Sequence, residues 1–242
     1  MKVYAISCKT QKSRKQLEKL FSSFRGIKTN SLVCFPEYFL DGKTLYSGVE
    51  FTDDSFVYLQ DFAKKKSINL AFGMVEKIRG RKYVTGIFIG RKGKIVGKQR
   101  KVKLASFEEK EGVSPGKLTR GVIKTEFGTV SLVVCRDQWS FKQTFDVEII
   151  INSRGYGLDD PKFGKFCEHW LLLDRAIAML NKAYLIGATG AVGQLSLLDV
   201  VNFEGKILAM SKSGGMIQAE IDLDLLRKYR KKEFVSKIVP KF

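Results

Sequence analysis

Apolar residues along this chain fall into short runs separated by stretches with helical spacing. Residues 2–8 read as an apolar strand. Residues 11–24 then place Leu17, Leu20, Phe21 and Phe24 at the three- and four-residue intervals of one helix face. Residues 31–35 form a second buried strand, closed by Pro36, which has no N–H for a sheet ladder. Asp53 or Asp54 is placed to cap a helix carrying Phe56, Leu59, Phe62 and Ala63, and a strand follows at 68–74. Residues 83–90 and 94–101 predict a hairpin turning at Lys92-Gly93. Residues 121–124 and 129–134 predict another, turning near Gly128.

The second half continues the pattern. A buried strand at 147–151 precedes the longest helix, 166–182, with Trp170, Leu173, Ile177 and Leu180 toward the core. Strands follow at 184–188, 195–201, 207–210 and 216–221, with a turn at Phe203-Glu204-Gly205-Lys206. Asp222 is placed to cap a final helix of about ten residues. Residues 232–242 read as a basic tail, free to dock on a partner subunit or to fray. Strands and helices alternate, but hairpins interrupt the alternation. That predicts mixed sheets covered by helices in a single domain spanning 1–242.

Composition narrows the class. No apolar run approaches the roughly 18 residues of a membrane span. The chain turns polar at Lys9-Thr10-Gln11-Lys12, without the apolar stretch of a signal peptide, so a cytoplasmic protein is expected. The four cysteines, at 8, 34, 135 and 167, include no CxxC pair, which speaks against a zinc site or a disulfide scaffold. The formal net charge of +18 raises the question of nucleic acid. Basic residues crowd at 91–103 and 227–232 but are otherwise spread along the chain without a nucleic-acid-binding motif. A Lys-rich solvated surface is therefore the favoured reading, and nucleic acid binding is the alternative.

Histidine-based mechanisms would have to use His169, the one histidine, which falls inside the long helix. No phosphate-binding or dinucleotide-binding glycine pattern is present. What stands out is an apolar strand, Ser131-Leu132-Val133-Val134, running straight into Cys135-Arg136-Asp137. A nucleophile there sits on a tight turn, with the N–H groups that follow it free to meet an oxyanion. Cys8 and Cys34 lie in or beside apolar strands and fit buried packing roles, and Cys167 has no base beside it. A thiol needs its proton removed, and without histidine a carboxylate is the next candidate. Glu37, in Phe35-Pro36-Glu37-Tyr38-Phe39, follows an apolar strand among aromatic residues that would desolvate it. A cation for the oxyanion comes from the 97–104 segment, where spacing leaves Lys98, Arg100, Lys101 and Lys103 all open.

Taken together, Phe35-Pro36-Glu37, Arg100-Lys101-Val102-Lys103-Leu104 and Cys135-Arg136-Asp137 resemble, in order, the motifs of the nitrilase superfamily of carbon–nitrogen hydrolases. The resemblance selects Lys101 among the cations. It also implies a second glutamate before an F-x-P-G-like turn. Residues 109–116 match that spacing, with Val113 replacing the aromatic, and the assignment falls on Glu109, with Glu108 and Glu111 as the neighbouring alternatives. Ala178, Asn181 and Tyr184 echo a family helix in which Ile177 and Leu180 depart from the pattern, and 202–208 and 219–222 resemble its closing hairpin and strand.

What the resemblance implies is a four-layer α-β-β-α sandwich with two mixed sheets. It also implies a homodimer or larger homo-oligomer and an amidase-like hydrolase acting on a small-molecule amide through a cysteine thioester. Glu37, Lys101, Cys135 and Glu109 would be its catalytic residues, with the backbone N–H of Arg136 at the oxyanion. The scheme needs no cofactor or metal. The Arg136 side chain, beside the nucleophile, would draw a carboxylate-bearing substrate or point to solvent. Against this stand a basic nucleic-acid-binding protein or a catalytically silent scaffold on the same fold.

Overall fold

A computed structural model describes residues 1–24, 26–117, 122–140, 146–155, 163–190 and 196–238. Period-two alternation sorts the strands into layers. In β1 (Lys2–Ile6), Val3 and Ala5 face one way, and Tyr4 and Ile6 the other. Tyr4 and Ile6 pack beneath α1 (Arg14–Ser23) and α2 (Asp54–Lys66), on a cluster holding Leu17, Phe21, Phe56 and Leu59. Val3 and Ala5 instead meet a second sheet through Val130, Leu132, Ile149 and Ile186.

The first sheet runs β12-β1-β2-β3-β4-β5. Here β2 is Leu32–Cys34, β3 Asn69–Ile78, β4 Arg81–Ile89, β5 Ile95–Arg100 and β12 Met216–Glu220. The second runs β11-β10-β9-β8-β7-β6, from β6 (Val122–Lys124), β7 (Thr129–Val134) and β8 (Ile149–Arg154) to β9 (Tyr184–Thr189), β10 (Leu198–Val201) and β11 (Ile207–Ser211). Each has three central parallel strands flanked by antiparallel ones, so both sheets are mixed as expected. The outer face of the second sheet, with Val133, Ile150, Leu185 and Val201, is covered by Ile177 and Ala178 of α4 (Phe163–Asn181). The result is the four-layer α-β-β-α sandwich. Among the described residues no helix is long and apolar enough to cross a membrane.

Three features differ from the sequence reading. Leu180 is 61% exposed, with Leu172 and Met179 exposed on the same helix, because α4 is apolar beyond the stripe that meets the sheet. The final helix, α5 (Leu223–Ile238), is longer than ten residues and takes in the first part of the segment read as a tail; 239–242 lie outside the described residues. A short helix, α3 (Ser106–Lys110), was not expected at all.

Candidate active site

Three strand ends deliver side chains to one site: parallel β2 and β7, and the antiparallel edge strand β5. Glu37 lies just past β2, Lys101 just past β5 and Cys135 just past β7. The Lys101 Nζ donates to Glu37 Oε1 at 2.6 Å and to Glu108 Oε1 at 2.8 Å. All three of these groups are essentially inaccessible to solvent. Glu108 is further held by Tyr38, whose hydroxyl donates to Oε1 at 2.5 Å, and by the Ala105 N–H, which donates to Oε2 at 2.5 Å. Ala105 has no oxygen to cap α3, so the Glu108 carboxylate supplies half of a capping box while it fixes Lys101.

Cys135 opens a 3-10 turn, Cys135–Ser140, with φ +48°, a left-handed conformation that non-glycine residues adopt only when the surroundings impose it. Its thiol donates to the Gly155 carbonyl oxygen at 3.3 Å. The Glu37 carboxylate lies close enough to this thiol that each alters the other's proton affinity. Gly155 makes the arrangement possible: a Cβ there would stand 2.5 Å from Glu37 Oε2.

Burial sets the proton affinities. Desolvation pushes the Glu37 carboxyl up to about 7, against the pull of the Lys101 ammonium. Desolvation, with the Glu37 charge added, pushes the Cys135 thiol up to about 12. Burial opposes the charge on Lys101, but Glu37, Cys135 and Glu108 outweigh it and hold the ammonium above its ordinary range. At neutral pH the resting sulfur therefore keeps its proton beside a carboxylate poised to accept it. Burial alone raises Cys8 and Cys34 well above the ordinary thiol range, as suits packing roles. His169 is exposed. No cluster of three His, Cys, Asp or Glu side chains placed to hold a metal ion occurs among the described residues.

A sequence model of the carbon–nitrogen hydrolase family matches residues 7–231. The chain belongs to that family. Among relatives, an ω-amidase of Saccharomyces cerevisiae is 27% identical over 199 residues, covering 73% of this chain and 66% of that protein, just under two thirds. A formamidase of Bradyrhizobium is 26% identical over 89% of this chain and 68% of its own length. A CN-hydrolase superfamily protein of Xanthomonas campestris, solved with an arsenic adduct in its active site, superposes with a TM-score of 0.79 at 14% identity, over 100% of this chain and 98% of that one. The likeness establishes the nitrilase fold.

In this carbon–nitrogen hydrolase the structure sets Glu108, the alternative beside Glu109, against Lys101. Glu109 is exposed on α3, whereas Glu108 is fully buried and bonded to Lys101. Consecutive helix positions point about 100° apart, so only one of the two can face the site. The Arg136 side chain is exposed and donates to the Leu104 carbonyl at 3.0 Å. Two residues were missed. Asp137 accepts from the Val102 and Lys103 N–H groups, and the Cys-x-Asp spacing was its signal. Tyr38 had no signal beyond its place beside Glu37.

Proposed function

We propose that this carbon–nitrogen hydrolase cleaves a small-molecule amide by two-step acyl transfer through Cys135. Glu37 takes the thiol proton as sulfur attacks the carbonyl carbon. The oxyanion that forms is met by Lys101 and the Arg136 N–H. Glu37 passes the proton to the leaving nitrogen, the C–N bond breaks, and a thioester remains. Glu37 then takes a proton from water, the hydroxyl attacks the thioester, and acid and free thiol are released. Glu108 keeps Lys101 in place. The observation that carries this reading is the buried convergence of Glu37, Lys101 and Cys135, with a thiol that stays protonated at rest and a carboxyl tuned near neutrality. The relatives named ω-amidase and formamidase favour an amide over a nitrile, and an aliphatic or ω-amidase-like substrate is the first to test.

The deciding experiment is an amide panel read by ammonia release, with intact-mass detection of a thioester. Cys135→Ala should release no ammonia and show no adduct; full turnover by that variant would sink the mechanism.

The apolar outer face of α4, with Leu172 at 66% and Met179 at 51% exposure, supports a homodimer in which a second copy covers it. A monomer in sedimentation at micromolar concentration would count against that. The cytoplasm is the proposed compartment. One observation favours the nucleic-acid alternative: a cleft of about 510 Å³ lined by Arg81, Lys98, Arg100 and Lys117. Buried Glu76, however, already pairs with Lys98 and Arg100. A salt-sensitive mobility shift together with an unreactive Cys135 would turn the assignment toward that reading.

A further inference from the structure

Behind the site lies a second set of charges that the chemistry above does not use. Arg154, Asp174, Asp199 and Asn152 are fully buried, and Gln138 nearly so. The two terminal guanidinium nitrogens of Arg154 donate one to Asp174 and one to Asp199. Gln138 Nε2 donates to Asp174 Oδ1, and Gln138 Oε1 accepts from Asn152 Nδ2. Gly187 leaves the necessary room, because a Cβ at that position would overlap both Arg154 and Asp199.

Two carboxylates against one guanidinium would leave a net negative charge in a dry interior, which is costly. Asp199 Oδ2 meets no nitrogen or hydroxyl donor among the described residues. A proton on Asp174 neutralises the set. Burial, and after it the charge of Asp199, push the Asp174 carboxyl well above the usual carboxylate range.

The network touches the site from two directions. Gln138 belongs to the same 3-10 turn as Cys135. Arg154 is the last residue of β8, its carbonyl oxygen accepts the Glu37 N–H at 3.3 Å, and the next carbonyl, Gly155, accepts the Cys135 thiol. Both the nucleophile turn and the base are thus tied to one buried set of hydrogen bonds. We propose that the Arg154–Asp174–Asp199 network, acting through Gln138, is the positioning device that holds Cys135 in its left-handed conformation with the thiol facing Glu37. Gln138 and Asp174 are positioning residues in this scheme. The inference rests on Cys135 being the nucleophile.

The test is the rate of Cys135 alkylation by iodoacetamide, followed by intact mass and peptide mapping. It needs no substrate. An unreactive Cys135 in the wild-type chain defeats the nucleophile reading itself, whatever the variants do. With a reactive wild type, Gln138→Leu and the smaller Gln138→Ala should alkylate about tenfold or more slowly, since small misplacements of a reacting group carry large rate penalties. Asp174→Asn keeps the shape and an oxygen to accept from Gln138 Nε2, but it sets an amide NH2 against the Arg154 nitrogen that now donates to Asp174 Oδ2. It should likewise slow alkylation about tenfold or more. A purely structural role would lower the urea midpoint of the Gln138 variants while the folded fraction alkylated normally, and that result overturns the proposal. So does an Asp174→Asn variant that is folded by near-ultraviolet circular dichroism yet alkylates at the wild-type rate, an outcome that stands even if neither Gln138 variant folds.

Discussion

Asp137 accepts the Lys103 N–H at 2.7 Å and the Val102 N–H at 3.0 Å, so one carboxylate joins the turn that carries Cys135 to the strand end that carries Lys101. The two groups come from different sheets and are 34 residues apart in sequence, and here a side chain of the Cys135 turn bonds directly to the backbone just past Lys101. Asp137→Ala removes two charge-assisted hydrogen bonds. It should destabilise the fold by about 1–3 kcal/mol. Activity should fall further than stability, by about a hundredfold, because the ammonium and the sulfur lose their common reference. Chemical denaturation alongside steady-state kinetics on the same preparation measures both, and a variant that is less stable but equally active would show the bond to be structural only.

Glu108 and Glu109 make a matched pair for substitution. Glu108 accepts from Lys101, Tyr38 and the Ala105 N–H within a fully buried site. Glu109 faces solvent. Glu108→Gln keeps the shape but turns an acceptor toward three donors into a mixed amide, and kcat/KM should drop by about a hundredfold, the scale of a lost electrostatic partner. Glu109→Gln should be indistinguishable from wild type in activity and melting temperature. Equal effects at the two positions would contradict the register seen in α3.

Residues 37 and 135 were legible because each closely follows an apolar strand. A buried strand leading into a chemically capable side chain is a local signal, and β2 and β7 both carry it. Lys101 was not separable from Lys98, Arg100 and Lys103 by that signal, since a basic strand end looks alike at every cation; the family resemblance made the choice. The choice between Glu108 and Glu109 was not legible because α3 is five residues long, too short for a period to reveal which of two adjacent glutamates turns inward. Arg154, Asp174 and Asp199 were invisible for the opposite reason. Charged residues are normally solvent-facing, and only the fold brings these three, far apart in sequence, into one dry cluster. The exposed Leu180 shows the same limit at a helix surface: an apolar residue at core spacing does not state which layer covers it.

The pH dependence follows from Glu37. Burial raises its carboxyl to about 7, so below that pH the group is increasingly protonated and cannot accept the thiol proton. The rate of Cys135 alkylation, and kcat/KM on an amide, should rise with pH through an inflection near 7 and fall about tenfold per unit below it. The Cys135 thiol, pushed up to about 12, stays protonated through this range and adds no inflection of its own. In Glu37→Gln the limb near 7 should vanish and the residual rate should climb only toward high pH, as the thiol ionises unaided. An unchanged limb in that variant would assign the titration to another group.

Gly155 gives the most stringent steric test. A Cβ there would stand 2.5 Å from Glu37 Oε2 and 2.5 Å from Tyr38 Cε2. Neither neighbour can yield freely, since Glu37 is held by Lys101 and Tyr38 by Glu108. Gly155→Ala should therefore displace the carboxylate from the thiol, lowering alkylation of Cys135 and kcat by about a hundredfold. The overpacking penalty should be about 1–3 kcal/mol. Gly190→Ala is the control. Gly190 donates to the same Arg154 carbonyl that accepts the Glu37 N–H, yet an added Cβ there meets nothing nearer than Pro36 Cβ at 3.8 Å. It should leave thiol reactivity unchanged. Equal losses in the two variants would show that the strand end tolerates no side chain at all, and that the fit of Glu37 against residue 155 has no special part in the chemistry.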